Sequence, residues 1–258
     1  MSLLLMTATI DSGYFGNTCT KLTDTQERLK QYREALHFYI KESNFDKIVF
    51  AENSSSAFEV DYFTKLAKQN SKSFEYLPVQ GDIEKTKTLG KSYGEAKIIQ
   101  DFIEKSQLLG GESSFYKITG RLIVRNINQF VNEKAETRII SQNSYSACVT
   151  SFFKLAIEDY WKWFHEGLKG IDEFHGMNIE HAVYRQIDKM QIGVKSFRPY
   201  PDISGVIAGT GGKYDKGRRK LRLFSFLSYC GFFDYHHTEA STKKRIAGIH
   251  EKYLRHNG

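Results

Sequence analysis

Two segments of the sequence join glycine to lysine or arginine in an order that suits anion binding. In the first, Gly90-Lys-Ser-Tyr-Gly-Glu95, glycines and a lysine stand before a predicted helix, whose N-terminal N–H groups attract negative charge. In the second, Lys117-Ile-Thr-Gly-Arg121, an arginine follows an apolar strand and offers a bidentate fork to phosphate or carboxylate. Gly120 permits a sharp turn or the close approach of a ligand. A capped helix start and a surface arginine are the alternative interpretations.

Further positive charge lies in two other places. Residues 204–220 contain five glycines and a dense basic run that includes Lys213, Arg218 and Arg219. Such a composition suits a loop that closes over a pyrophosphate. Arg138 stands where a fifth strand is predicted to begin. An exposed loop and a surface salt bridge are the alternatives for these two features.

Glu180 is the carboxylate best placed for acid–base chemistry. It lies near the start of a predicted helix, after a loop that contains histidine. A carboxylate there could act as a general base towards a sugar hydroxyl, or it could simply favour the helix dipole. The sequence has no Asp-x-Asp, His-x-x-x-His or Cys-x-x-Cys motif, which leaves the metal requirement open.

Strand and helix patterns alternate through the first two thirds of the chain. The predicted strands span 3–10, 46–51, 73–77, 114–119 and 137–141, with a looser strand pattern over 194–210, and the predicted helices span 24–41, 58–70, 95–106, 150–167 and 178–190. Thr23 or Thr25 is the expected cap of the first helix. This alternation predicts an α/β fold with a mainly parallel central sheet flanked by helices. Ligands bind beyond the carboxyl ends of such strands, which here precede 9–17, 52–56, 79–82 and 119–121.

The positive charge is concentrated at the C-terminal end. The 258 residues carry a net charge of +7, and residues 213–258 hold 11 of the 37 basic side chains but only 4 of the 30 acidic ones. We therefore predict a neutral α/β domain over 1–212 and a basic, partly helical extension over 213–258, packed on the same domain, with a last helix over 242–255. The extension could face nucleic acid, an anionic membrane or a phosphorylated small molecule. Its apolar stretch 221–233 suits either membrane contact or a core helix.

Three widely spaced cysteines predict free thiols in a reducing compartment, and 14% aromatic residues exclude a disordered chain. No run of residues is apolar enough to span a membrane. We expect a cytoplasmic protein that can sit on the inner face of the membrane.

The order of these motifs resembles that of glycosyltransferase-like proteins from bacterial surface-polysaccharide and lipopolysaccharide gene clusters. More remotely, it is similar to that of fungal capsule-associated mannosyltransferases. The resemblance covers roughly residues 7–190, and Lys-Ile-Thr-Gly-Arg is its most specific piece. The other segments that carry it are 28–36, 48–54, 90–95, Thr137-Arg138 and the helix that contains Glu180.

The resemblance implies a GT-A-like, nucleotide-diphospho-sugar transferase fold and transfer of a sugar to a glycan or lipid-linked glycan. The nucleotide would lie against the first strand and the end of the second, and the two glycine-containing segments would line the donor or acceptor pocket. The implied donor-site residues are Thr9, Ile10, Glu52, Asn53, Ser54, Gly90, Lys91, Gly94, Glu95, Lys117, Gly120 and Arg121.

Glu180 would be the catalytic carboxylate, and Lys117 with Arg121 would hold phosphate or acceptor. Without a metal, the leaving diphosphate would be neutralised by cationic side chains. The candidates are Arg121, Arg138, Lys213, Arg218 and Arg219. The alternative function is a nucleic-acid-binding module that uses the basic, aromatic C-terminal end.

Overall fold

The computed structural model describes residues 1–15, 21–207 and 211–235. The strands are β1 (Leu3–Ala8), β2 (Lys47–Glu52), β3 (Ser73–Pro78), β4 (Ser114–Thr119), β5 (Ile123–Val124), β6 (Arg138–Gln142), β7 (Ala147–Ala156) and β8 (Ile203–Ser204). The helices are α1 (Thr25–Glu42), α2 (Val60–Gln69), α3 (Ile83–Leu89), α4 (Lys91–Lys105), α5 (Ile157–Asp159), α6 (His165–Leu168), α7 (Ile179–Met190) and α8 (Arg218–Tyr229), with a π turn (Tyr160–Phe164) joining α5 to α6.

Six strands form the central sheet, in the order β3-β2-β1-β4-β7-β6. The first four are parallel, whereas β7 is antiparallel to both β4 and β6. The predicted α/β fold, with a mainly parallel sheet flanked by helices, is confirmed. The chain moves outward from β1 to β3 and then returns to the other side of β1 as β4, so the strand order switches between β1 and β4. Ligand crevices of open α/β sheets lie at such a point.

Burial on both faces explains why the inner strands are almost continuously apolar. All six residues of β1 are buried, and alternate side chains enter different cores because successive residues of a strand point to opposite faces. Leu3 and Leu5 pack on the side of α4 and α7. Leu4 and Met6 pack on the side of α1 and α2.

The predicted helix over 150–167 is wrong in its first half. Residues up to Ala156 belong to β7, which pairs with β4 on one side and β6 on the other, and the helical conformation begins only at Ile157. The run Thr-Ser-Phe-Phe-Lys-Leu is buried on both faces, and periodicity cannot separate such a strand from a buried helix.

Smaller differences concern helix starts and one loop. Asp24, rather than a threonine, caps α1 by accepting a hydrogen bond from the Glu27 backbone N–H at 2.8 Å. The helix predicted from residue 95 begins at Lys91, after the additional helix α3. Of the strand pattern over 194–210, the described residues 194–207 form the short strand β8, which pairs with β5, and isolated bridges at Val194, Lys195 and Val206.

Part of the basic C-terminal segment packs on the α/β domain. On α8, Leu221, Phe224 and Leu227 contact the core on the side of α1. The division of the chain at residue 212 stays a prediction, and the helix expected over 242–255 lies outside the described residues. None of the helices in the described ranges has the length and apolar composition needed to cross a membrane.

Candidate functional site

A cavity of about 320 Å³ opens where β1 and β4 end. Thr7 of β1 and Thr119 of β4 are register partners in its floor. Its walls come from the loops after β1, β2 and β4, from the starts of α4 and α7, and from the segment around Val206 and Tyr214. The cavity therefore coincides with the point where the strand order switches, as expected for a ligand site in this class of fold.

Arg121 supplies a guanidinium to one wall of the cavity. The residue is 6% exposed. Its Nη1 donates to the Gln31 Oε1 at 3.1 Å and to the Val206 carbonyl at 3.2 Å. Its Nε is buried and has no hydrogen-bond partner within the described ranges. A buried donor left without a partner is costly, so this wall suits a ligand that brings an acceptor oxygen.

A second buried arginine, Arg28 on α1, holds the loop after β1 in place. Its guanidinium donates to the carbonyls of Thr9 and Ile10, and to that of Leu22 at 3.1 Å. The hydroxyl of Tyr32, one turn along α1, accepts from the Thr9 backbone N–H at 3.0 Å. Both side chains line the cavity, so α1 supplies positive charge and shapes the loop at once.

Two carboxylates, those of Glu95 and Glu180, also line the cavity. Glu95 on α4 forms an ion pair with Lys117, a lysine with no solvent exposure. Asn178 caps α7 by accepting from the His181 backbone N–H at 3.0 Å, which sets Glu180 in the first turn of the helix. Both glutamates line the cavity.

The surroundings of Glu180 shift the pKa of its carboxyl group. Burial raises the pKa of Glu180, and the negative charge of Glu95 raises it further. A hydrogen bond from its own backbone N–H, the charge of Lys117 and the Thr150 hydroxyl all act in the opposite direction. A carboxylate with a raised pKa is a stronger base than a solvated one, so Glu180 can take a proton from a bound hydroxyl.

Tyr214 reaches the same cavity from the glycine-rich basic loop. Its backbone N–H donates to the Gly205 carbonyl at 2.9 Å. Burial, together with the negative charges of Glu180 and Glu95, raises the pKa of Tyr214. The phenol therefore faces the carboxylates as a neutral hydrogen-bonding group.

The N-terminus of α4 is already engaged by a carboxylate of the protein. The Ser92 backbone N–H donates to the Glu173 Oε2 at 3.0 Å, and the Lys91 ammonium lies 3.5 Å from the Glu173 Oε1. Gly90 has φ +93°, and a Cβ there would come within 2.6 Å of the Glu173 side chain. A charged cap on a helix N-terminus is stabilising, so the anion-binding potential predicted here is met by Glu173.

Glu52 organises the neighbouring loops from a buried position. Its Oε1 accepts from the backbone N–H groups of Ile10, at 3.1 Å, and Ser54, at 2.8 Å. Asn53 extends this arrangement to the cavity wall, where its Oδ1 accepts from the Thr9 hydroxyl at 2.7 Å. These contacts tie the carboxyl ends of β1 and β2 together.

The structure brings seven of the predicted site residues to the cavity. These are Thr9, Asn53, Lys91, Gly94, Glu95, Arg121 and Glu180. Ten others are not part of its wall as the structure describes it. These are Ile10, Glu52, Ser54, Gly90, Lys117, Gly120, Arg138, Lys213, Arg218 and Arg219.

Arg138 lies away from the cavity because of strand direction. Because β7 is antiparallel to both β4 and β6, β6 runs in the same direction as β4. A residue at the start of β6 therefore lies towards the amino ends of the parallel strands, whereas the cavity lies at their carboxyl ends. Arg138 donates there to the Glu136 Oε2 at 2.7 Å. Lys213, Arg218 and Arg219 are exposed to solvent.

Sequence reasoning missed Arg28, Tyr32, Glu173 and Tyr214. For the first two a signal was available, because Arg28 and Tyr32 share the buried face of α1 at four-residue spacing. Glu173 and Tyr214 reach the cavity from irregular segments, where no periodicity indicates direction. Across the described residues, no group of three or more His, Cys, Asp or Glu side chains is arranged to hold a metal ion.

Comparison with known proteins gives likenesses to solved structures. No model of a known protein family matches the chain, and no curated protein matches it. The chain is similar to the glycosyltransferase GlyE of Streptococcus pneumoniae TIGR4, at 9% identity and a TM-score of 0.49 over 93% of this chain and 66% of that one. The apo form of GlyE matches at 8% identity and a TM-score of 0.47, over 92% of this chain and 65% of that one.

HddC from Yersinia pseudotuberculosis matches at 12% identity and a TM-score of 0.31, over 62% of this chain and 80% of that one. The chain thus spans just under two thirds of the length of the GlyE chains. At these identities a likeness concerns the fold, and with TM-scores below 0.5 it assigns neither a family nor an activity to this chain.

Proposed function

We propose that the cavity binds a nucleotide-sugar and that the protein transfers the sugar to a hydroxyl of an acceptor, as a GT-A-like glycosyltransferase. One observation carries this proposal. Arg121, with its buried and unpartnered Nε, and Glu180, with its raised pKa, line one cavity at the switch point of the sheet. A cation for a leaving diphosphate and a base for an attacking hydroxyl are the two groups that glycosyl transfer needs.

In this proposal Glu180 takes the proton of the acceptor hydroxyl while that oxygen forms a bond to the anomeric carbon of the donor. The bond between the anomeric carbon and the diphosphate oxygen breaks, and the nucleoside diphosphate leaves with the electron pair. Arg121 donates to the diphosphate oxygens as their charge grows. Arg28, which also lines the cavity, adds positive charge.

The test is thermal stabilisation by nucleotides. We expect UDP, GDP or CMP, or one of their sugars, to raise the melting temperature, because a ligand that binds only the folded state stabilises it. Replacement of Arg121 by Ala should abolish the shift, and Arg121→Lys should restore only part of it because the bidentate fork is lost. The control is Arg33→Ala, which removes an arginine of α1 that pairs with Glu59 at the surface and should keep the full shift.

Stabilisation by none of these compounds, with and without Mn²⁺, would contradict the proposal. An Arg121→Ala variant that still binds normally would remove this residue from the site. The two results differ, because the first rejects the function and the second rejects only the role of one side chain.

We further propose that the acceptor is a glycan or lipid-linked glycan of a surface-polysaccharide pathway, used at the cytoplasmic face of a membrane. The support lies in the outer face of α8 and in the turn that follows it. Leu223, Phe226, Tyr229 and Phe232 are four of the ten large apolar side chains that are exposed in the described part of the chain. Arg218, Arg219 and Arg222 share this end of the molecule and are exposed too.

This combination suits an anionic bilayer. Each basic residue near such a surface contributes about 1 kcal/mol of attraction, and aromatic side chains favour the headgroup region. We expect the full chain to float with vesicles that contain phosphatidylglycerol and to remain unbound with pure phosphatidylcholine. Changing Leu223 and Phe226 to Ser should reduce flotation, whereas Phe174→Ser, at an exposed site outside α8, should not.

The same basic end supports the alternative of a nucleic-acid-binding module. Salt-dependent binding of an arbitrary oligonucleotide, combined with neither vesicle flotation nor nucleotide-sugar binding, would favour that alternative and overturn both proposals above.

A further inference from the structure

Glu95 is held by three donors that all contact the same carboxylate oxygen. Its Oε1 accepts from the Thr7 hydroxyl at 3.2 Å, from the Thr119 hydroxyl at 3.4 Å and from the Lys117 ammonium. Two of these donors stand at register-paired positions of β1 and β4, in the floor of the cavity. The orientation of this carboxylate is therefore set by the central sheet rather than by the helix that carries it.

Lys117 acts behind the wall of the cavity. Its side chain has no solvent exposure. Besides Glu95, its ammonium contacts the Thr150 carbonyl at 2.8 Å and the Thr119 hydroxyl at 3.2 Å. An ammonium has three N–H donors, so the protein uses all of them. Lys117 therefore has no N–H group left to bind the phosphate or acceptor, which is the role that the resemblance implied for it.

The second oxygen of Glu95 is in a different position. Among the described residues, every side-chain hydrogen bond of Glu95 reaches Oε1 and none reaches Oε2. The Glu95 side chain keeps 25% of its surface exposed and lines the cavity. The negative charge of Glu95 raises the pKa of both Glu180 and Tyr214. An oriented, ionised acceptor beside a second carboxyl group repels a phosphate, whereas it attracts the hydroxyl protons of a polyol.

We infer that Glu95 binds a hydroxyl of the transferred sugar through Oε2, and that Lys117 is a positioning residue that fixes the Glu95 carboxylate. This inference rests on the proposed function and assigns the charged side chains of the cavity to different parts of the donor. Arg121 would hold the diphosphate, and Glu95 would recognise the sugar. The donor-binding role that the sequence predicted for Glu95 is thereby narrowed to the sugar part of the donor.

The binding test compares nucleotides that differ only by the sugar. Dissociation constants are measured for UDP against UDP-glucose and for GDP against GDP-mannose. The Glu95→Gln variant should lose about 10- to 100-fold in affinity for the nucleotide-sugar, the usual effect of losing a hydrogen bond to a charged group, and should bind the bare nucleotide as before. Glu104→Gln, at an exposed position of the same helix, is the matched control.

A second test needs no substrate. The carboxyl of Glu180 is titrated by ¹³C NMR in the free protein, and its signal is identified from a Glu180→Gln variant. Glu95→Gln should move the midpoint to lower pH, because a neighbouring negative charge is removed. Lys117→Met should move it to higher pH, because the charge of Glu95 is then uncompensated. A role of this pair in folding alone would not move the titration in opposite directions.

The outcomes separate the two proposals. If no nucleotide binds, the proposed transferase function is rejected, and the titrations alone decide whether the carboxylates are coupled. Equal losses of affinity for nucleotide and nucleotide-sugar in Glu95→Gln, or a titration midpoint of Glu180 that neither variant moves, would overturn the inference.

If Lys117→Met does not fold, the double variant Glu95→Gln/Lys117→Met replaces it, because removing both charges avoids an unpaired buried one. The titration midpoint of Glu180 in the double variant should lie below that of the wild type.

Discussion

At the scale of single residues, Gly120 shows that a motif can owe its composition to packing rather than to a ligand. Its backbone N–H donates to the Thr7 carbonyl at 2.8 Å. A Cβ at this position would lie 2.9 Å from that carbonyl oxygen and 3.3 Å from the ring of Tyr32. The glycine therefore lets the turn after β4 approach β1, which brings Arg121 to the cavity.

We expect Gly120→Ala to destabilise the protein. Overpacking against backbone costs about 1–3 kcal/mol, because neither the Thr7 carbonyl nor the ring of Tyr32 can move freely. Urea unfolding measures the effect. The control is Gly193→Ala, where an added Cβ meets nothing within 4 Å and the change should stay within about 0.5 kcal/mol. Equal losses in the two variants would show that the close approach is not the cause.

At the scale of elements, the start of α4 shows how a helix end can be used by the fold itself. Glu173, from a short 3-10 helix (Glu173–His175), accepts the Ser92 backbone N–H and pairs with Lys91. The contact joins two elements that both line the cavity. The N-terminus of α4 thus fixes the position of the loop that precedes Glu180.

Glu173→Gln should lower the free energy of unfolding by about 0.5–2 kcal/mol, the range for losing a helix cap and its charge. The loss should shrink at high salt, because screening already weakens the interaction with the dipole in the wild type. Glu166→Gln removes an exposed carboxylate paired with Lys169 and should change the stability little. A loss for Glu173→Gln no larger than the control would show that the capping contact is unimportant.

At the scale of the whole molecule, the buried ionisable groups tie stability to pH. Lys154 on β7 is 1% exposed. Its ammonium donates to the Asn132 Oδ1 at 2.7 Å and lies 4.9 Å from the centre of the Tyr116 ring. Burial lowers the pKa of Lys154 to about 8 from its ordinary 10.5. The folded state therefore resists carrying this charge.

Between pH 8 and 10.5 the unfolded chain binds more protons at Lys154 than the folded one, so this residue makes stability rise with pH in that window. Below pH 8 the full cost of the buried charge is present. We expect the free energy of unfolding of Lys154→Met to exceed that of the wild type most below pH 8. This difference, on the order of 3 kcal/mol, should disappear as the pH approaches 10.5. Urea unfolding across this range measures the difference.

The control for this prediction is Lys65→Met, at an exposed position of α2. Its difference from the wild type should not depend on pH. A parallel pH dependence in the two variants would contradict the role of Lys154, because an exposed lysine has no desolvation cost to recover.

The sequence by itself determined the fold class and predicted several of the residues that line the cavity. Apolar runs alternating with helical periodicity require a parallel sheet, and the carboxyl ends of parallel strands share one edge. Thr9, Asn53 and Arg121 were therefore predicted to meet, and the structure places all three in the cavity wall. These inferences succeed because they depend on local patterns and on the geometry of one strand type.

Only the tertiary structure decided which charges meet. Glu95 turned out to neutralise Lys117, and Glu173 turned out to occupy a helix end predicted to bind an anion. Arg138 lies away from the cavity because it stands at the start of β6, which runs in the same direction as β4 and is separated from it by β7, predicted in part as a helix. The partner, burial and pKa of a charge depend on residues distant in the sequence, which periodicity and local motifs do not specify.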